Sequence, residues 1–307
     1  MLKIGTSGSR LALWQAEFTQ SELARIGVAG ELVIIDSRYD FSSDLYLDEP
    51  DGKDVKFREI EAALLSGDID VGVHSMDDMP TETPEGLAIT AVAFRDNPAD
   101  LLLIHPEAFD VAQIFKLKSG AVVSATSACR KVQMQDIRPD TDIRPFSGNA
   151  PALLENLREG LFDALILTAA EVYRLELDTI GLEVLELNPR EFVPAPAQGV
   201  FAWLTNRDDL LTRRSFKKIH HPEVSACTNV ERRLLQLLGG RMPLGVYCER
   251  DADGNFHAFA ACLLDGEMRR AHVSRSTNSG LAEALYDRLL GCWAVGLLGG
   301  AVGLLGC

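Results

Sequence analysis

The chain has 307 residues, enough to bury a large core in about two or three domains, and 47% hydrophobic with 24% charged residues is the composition of a globular protein. A formal net charge of -15 opposes nucleic acid and anionic membrane as partners, because both carry the same sign. The six cysteines are scattered without a CxxC pair, and no signal peptide is read at Met1 to Gly8. Reduced thiols in a cytoplasm and no zinc site are therefore expected.

Taken in chain order, Leu2 to Gly5 reads as a short strand, and Thr6-Ser7-Gly8-Ser9 as a turn into a helix with Leu11, Trp14 and Phe18 on one face. Strand, Gly/Ser turn and helix start present backbone N–H groups to an anion. Glu31 to Asp36 predicts a second strand, Phe57 to Leu65 a helix, and Ile69 to His74 a strand that stops abruptly at Ser75-Met76-Asp77-Asp78. Open α/β sheets bind ligands beyond the carboxyl ends of their strands, so the adjacent carboxylates mark a candidate site.

The rhythm then repeats. Leu101 to Ile104, Val122 to Ser124, a helix from Ser127, Ile143 to Phe146, a helix from Ala150 and Ala164 to Leu167 predict a second α/β unit, each unit with a mainly parallel sheet and a ligand cleft between them. Pro189 to Pro196 breaks the pattern. Beyond Arg207, helix signals around Glu231-Arg232-Arg233 and strand signals from Val246 and Phe256 predict a smaller α+β region, with Asp251-Ala252-Asp253-Gly254-Asn255 as a hairpin turn. From Leu289 the sequence carries no charge, and AVGLLGG is followed by AVGLLGC. These 19 residues barely reach the roughly 17 to 25 of a membrane span, and their glycines favour an apolar tail over an anchor.

Several ordered blocks resemble the hydroxymethylbilane synthase (porphobilinogen deaminase) family: IGTSGSRLALWQAE, HSMDDMP, SATSACRKVQ, GNAPALLENLREGLFDALILTAAEVYRL and APAQG. The resemblance spans about Leu2 to Leu290 and implies two lobes like those of type 2 periplasmic binding proteins around a cleft, plus a small C-terminal α+β domain. The implied division is 1–95 with 190–210 for the first lobe, 96–189 for the second, 211–290 for the small domain and 291–307 for the tail. It further implies a transferase of tetrapyrrole (haem) biosynthesis, a cytoplasmic monomer that condenses porphobilinogen head to tail with release of ammonia. The alternative is a non-catalytic paralogue that binds a tetrapyrrole or small anion in the same cleft.

By the same resemblance, Asp78 matches the catalytic aspartate, with Asp77 where the family has lysine. Ser9, Lys53, Arg58, Thr126, Ser127, Arg130, Arg174 and Gln198 match positions that hold the dipyrromethane cofactor or substrate carboxylates, and Arg38 and Asp40 match structural ones. Other family arginines are replaced here by Ser7, Cys129, Ser147 and Leu153. The cofactor cysteine that should follow Gly239-Gly240 is Arg241, which cannot form a thioether. Cys227 and Cys248 are the nearest substitutes by sequence, and a buried small hydrophobe is the commoner role for either.

Overall fold

The computed structural model describes residues 1–35, 51–146, 148–240 and 242–291, and the backbone alone for 51–56. The expectations on Arg38, Asp40, Ser147, Arg241, the Lys53 side chain and the tail from residue 292 lie outside the described residues.

The chain opens with β1 (Leu2–Thr6), α1 (Arg10–Arg25), β2 (Gly30–Ile34), α2 (Asp51–Ser66), β3 (Val71–Ser75) and β4 (Leu87–Val92). It crosses to β5 (Asp100–Ile104), β6 (Val122–Ser124), α3 (Ala128–Ile137), β7 (Asp142–Arg144), α4 (Ala150–Arg158), β8 (Ala164–Thr168), α5 (Ala169–Arg174) and β9 (Glu183–Leu187). It then crosses back to β10 (Phe201–Asn206) and continues through α6 (Leu210–Lys217), α7 (Pro222–Leu237), β11 (Leu244–Arg250), β12 (Phe256–Leu264), β13 (Glu267–Arg275) and α8 (Leu281–Leu289).

Two five-stranded sheets share one plan. The first has the order β2-β1-β3-β10-β4 and the second β7-β6-β8-β5-β9. In each, one strand opposes the other four: β10 runs antiparallel to β3 and β4, and β5 antiparallel to β8 and β9. These two reversed strands are the ones that directly follow a crossing. The mainly parallel reading holds with this one inserted strand per sheet.

Both sheets are buried on both faces, which is why their strands read as continuous apolar runs rather than alternations. Phe201 and Trp203 face one core with Ile4, Val71 and Val73, while Ala202 and Leu204 face another with Phe57, Ile60 and Leu64. In β5, Leu101 and Leu103 likewise pack opposite to Leu102 and Ile104. Each of the larger aliphatic and phenyl side chains among these contributes about 1.5–3 kcal/mol when removed from water. The indole N–H of the buried Trp203 is satisfied by Thr19 Oγ1 at 2.8 Å.

The third sheet, β11-β12-β13, is antiparallel and packs one face on α7 and α8. The residues at the two crossings bond to each other: Ala93 N donates to Phe201 O at 3.0 Å and Asp96 N to Gly199 O at 3.0 Å. Gly199 has φ +81, and a Cβ there would meet Asp96 O at 2.9 Å, so glycine lets the two segments close. Among the described residues no helix is long and apolar enough to cross a membrane.

Candidate functional site

Asp78 is presented by a short loop that is fixed from below. β3 ends at Ser75, and Met76 and Met79 turn into the core at 2% and 5% exposure, leaving Asp77 half-buried and Asp78 exposed. Met76 N donates to Val200 O at 2.9 Å and Asp78 N to Ser75 O at 3.2 Å. From α7, the Arg232 guanidinium donates to the carbonyls of Met76 and Met79, each at 3.2 Å, and also to that of Pro80. A helix far along the sequence thus sets the backbone that carries the two aspartates.

His74, near the end of β3, packs against Phe57 with ring centroids 4.6 Å apart and the rings tilted by 56°, and its Nε2 is buried without a hydrogen-bond partner. Burial drives its pKa down to about 4, against the pull of the Asp78 carboxylate. The folded protein therefore keeps the ring neutral where unfolded chains, at about 6.5, take up a proton. Stability from this group is complete above about pH 6.5, declines as pH falls toward 4, and is lost below that, on the order of 3 kcal/mol in all. Denaturant melts across this range should show His74→Phe lacking that part of the acid slope; equal slopes in both proteins would contradict it.

The start of α5 lies within electrostatic reach of this loop. Glu171 is half-buried in the first turn of α5; burial raises its pKa, Arg130 lowers it and Asp78 raises it. Arg130, in the first turn of α3, donates from Nη2 to Asp100 Oδ1 at 2.8 Å, with side-chain exposures of 13% and 2%. Gln198 is buried and donates to the same Asp100 oxygen at 2.9 Å and to Pro98 O at 2.8 Å. Asp100 thus gathers Arg130 and Gln198 by hydrogen bonds, and Glu171 lies within electrostatic reach of both Arg130 and Asp78.

The remaining expected site residues have other surroundings. Arg174 is the last residue of α5 and is buried: its Nε holds Asp96 Oδ2 at 2.7 Å, its Nη2 reaches Gly199 O at 2.8 Å, and it packs over Trp14 and Phe201. Ser9 caps α1, accepting from Ala12 N at 3.2 Å. Ser127 is the N-cap of α3 but spends no side-chain hydrogen bond on the helix, and Thr126 beside it is half-buried. Arg58 is exposed on α2. Neither Glu171 nor Arg232 carries a site signal in the sequence: no motif marks Glu171, and Arg232 lies in a stretch that reads as ordinary helix.

The family model that matches residues 2–214 is described as "Porphobilinogen deaminase, dipyromethane cofactor binding domain". Curated porphobilinogen deaminases match over most of their length: that of Chloroherpeton thalassium is 36% identical, covering 92% of this chain and 90% of the relative. The chain belongs to the porphobilinogen deaminase family. The enzyme of that name from Geobacter sulfurreducens is 34% identical over 93% of this chain and 87% of the relative. Among solved structures, the periplasmic VFT2 domain of Bordetella pertussis BvgS is similar with a TM-score of 0.44 and 14% identity, covering 73% of this chain and 90% of that one.

The dipyrromethane of this deaminase family needs a thiol that can reach the cleft, and the described cysteines do not fit that need. Cys129, Cys227, Cys248 and Cys262 are all buried. The Cys227 and Cys248 thiols share a hydrogen bond between α7 and β11, and that contact, then burial, drives Cys248 far above the thiol range. Burial, then Asp100, pushes Cys129 up to about 12, and burial pushes Cys262 up to about 11. Thiolates are the nucleophiles, so the raised pKa values of Cys129, Cys248 and Cys262 make those three inert in the folded chain. The Cys248 contact lowers the Cys227 pKa against burial, and it is enclosure in the α7 core that withholds this thiol. Peptide mapping after iodoacetamide should find all four unlabelled in native protein and labelled in denaturant; native labelling of Cys227 or Cys248 would break this account.

Proposed function

We propose that this chain binds porphobilinogen, or a related pyrrole with carboxylate arms, in the interlobe cleft and holds it without a thioether-linked primer. The observation that carries the reading is the pairing of a fixed, exposed Asp78 with cysteines that are all walled into cores among the described residues. A carboxylate at Asp78 accepts pyrrole N–H groups and favours a ring that becomes cationic, since an ionised acceptor forms about twice as strong a hydrogen bond as a neutral one. Ser9, Lys53, Arg58, Thr126, Ser127 and Arg130 are the groups we assign to the acetate and propionate arms. Arg174 and Gln198 act instead by fixing the crossing segments, because both are spent on Asp96, Asp100 and backbone carbonyls.

In this reading the first lobe is 1–95 with 190–210, the second 96–189 and the small domain 211–290, each built round one sheet. The protein works as a cytoplasmic monomer in tetrapyrrole (haem) biosynthesis, and its charge keeps it off nucleic acid. The name of its relatives and the presence of Asp78 favour a second reading, head-to-tail condensation of porphobilinogen with release of ammonia.

Calorimetric titration of porphobilinogen, followed by assay of the same sample for hydroxymethylbilane, tests both. One bound pyrrole per chain and no product is the expected result. Product formation would replace the binding reading by the condensation reading, and the absence of binding would remove both.

A further inference from the structure

Two charged residues of α5, Glu171 and Arg174, stand three positions apart and so share one face of the helix. The contacts of Arg174 show where that face points. Its guanidinium donates to Gly199 O at 2.8 Å and lies 5.2 Å and 5.3 Å from the ring centroids of Trp14 and Phe201. Phe201 is the register partner of Ser75, the residue where β3 ends and the Asp78 loop begins, and Met76 N donates to Val200 O at 2.9 Å. This face of α5 therefore meets the first lobe at the root of the Asp78 loop. Glu171 stands on it one turn nearer the start of the helix.

The position of Glu171 is fixed from within the second lobe. Thr168 Oγ1 accepts Glu171 N at 3.0 Å, Thr168 is the register partner of Asp100, and Asp100 in turn holds Arg130 and Gln198.

Its side chain differs from the neighbouring carboxylates. Asp96 has Arg174, and Asp100 has Arg130 and Gln198. Glu171 is half-buried, yet among the described residues neither of its carboxylate oxygens accepts a hydrogen bond. Burial disfavours its ionised form, Arg130 favours it and Asp78 disfavours it. A carboxylate drawn out of water without a donor is a cost that a cationic donor from a ligand can offset.

We infer that Glu171 selects, among pyrroles with carboxylate arms, those that also carry an aminomethyl arm, by accepting a hydrogen bond from its ammonium group; this rests on the pyrrole-binding reading above. In porphobilinogen the aminomethyl arm is attached to the ring carbon next to the pyrrole nitrogen. Ammonium and ring N–H therefore leave the ring side by side, and a site that holds both needs two acceptors within reach of each other. Asp78, assigned to the ring N–H, and Glu171, close enough to sense its charge, form such a pair. A cation held between them also relieves their mutual repulsion. Arg130 takes a carboxylate arm, so the two signs of charge on one ligand meet opposite charges in the site. A pyrrole with methyl in place of aminomethyl leaves Glu171 covered and unpaired, and that is what penalises it.

The probes are porphobilinogen and the pyrrole with the same acetate and propionate arms but methyl in place of aminomethyl, each titrated calorimetrically into the full chain. The wild type should bind porphobilinogen more tightly by about tenfold or more, the worth of one charge-assisted hydrogen bond. In Glu171→Gln the preference should shrink to about threefold or less, through lost porphobilinogen affinity while the methyl compound binds as before. Glu176→Gln, which removes the same charge from an exposed position just beyond α5, should leave the preference intact. The denaturant midpoint of Glu171→Gln should equal or exceed that of the wild type, since the carboxylate has no donor to lose; a lowered midpoint would make Glu171 a structural residue and overturn the inference. Equal binding of the two probes by the wild type, or a preference that survives in Glu171→Gln, would also overturn it and leave the pyrrole-binding reading standing. Binding of neither probe would remove both.

Discussion

Replacing Glu231 by alanine should lower the unfolding free energy by about 3–5 kcal/mol, the range for breaking a buried ion pair on one side. The Glu231 carboxylate is fully buried in α7, where one oxygen accepts Arg95 Nη1 at 2.6 Å and Cys248 N at 2.7 Å. The other accepts Ala197 N at 2.6 Å and Arg95 Nη2 at 3.4 Å. Arg95 also donates from Nε to Gln198 O at 3.1 Å and stands 5.2 Å from the Tyr247 ring. One carboxylate therefore ties both crossing segments to β11. Alanine leaves the guanidinium and two amides without an acceptor in a place water does not reach. Glutamine keeps the volume and one acceptor oxygen, so a smaller loss of about 1.5–3 kcal/mol is expected for Glu231→Gln. Denaturant unfolding reads the size of the effect, and hydrogen exchange at the Ala197 and Cys248 amides reads its place. A loss below about 1 kcal/mol for alanine would show that the junction is not held in this way.

Asp78→Asn should weaken porphobilinogen binding by about tenfold to a hundredfold while leaving the melting transition in place. The loss is that of a charge-assisted hydrogen bond, about 1.5–3 kcal/mol, because asparagine offers one neutral acceptor where the carboxylate offers two charged ones. Stability is spared because Asp78 is exposed and its loop is fixed by Met76, Met79 and the Arg232 donors on main-chain carbonyls. Asp77→Asn serves as the comparison and should cost less. Equal affinity in wild type and Asp78→Asn, measured by calorimetry, would remove Asp78 from the ligand site.

Much of this molecule is legible in its residues taken in order. The apolar run Val71 to Val73 ending in a polar loop identified the strand that carries Asp78, and the apolar runs at Leu101 to Ile104 and Ala164 to Leu167 are strands buried on both faces. What the sequence hides is pairing at a distance. Arg130 and Arg174 both resemble ligand-binding arginines, yet Arg174 is spent on Asp96, 78 residues away, while Arg130 places only its Nη2 on Asp100. Arg232 reaches carbonyls more than 150 residues upstream. Nothing in local spacing encodes these contacts, because they arise only when the crossing segments and α7 pack together.

A cleft that works without a covalent primer leaves its mark on the intact mass of the protein purified from a haem-producing host. The expected mass is that of the sequence alone, with no pyrrole attached. An excess equal to a dipyrromethane, mapped to any cysteine of the chain, would contradict it and restore primed condensation as its function.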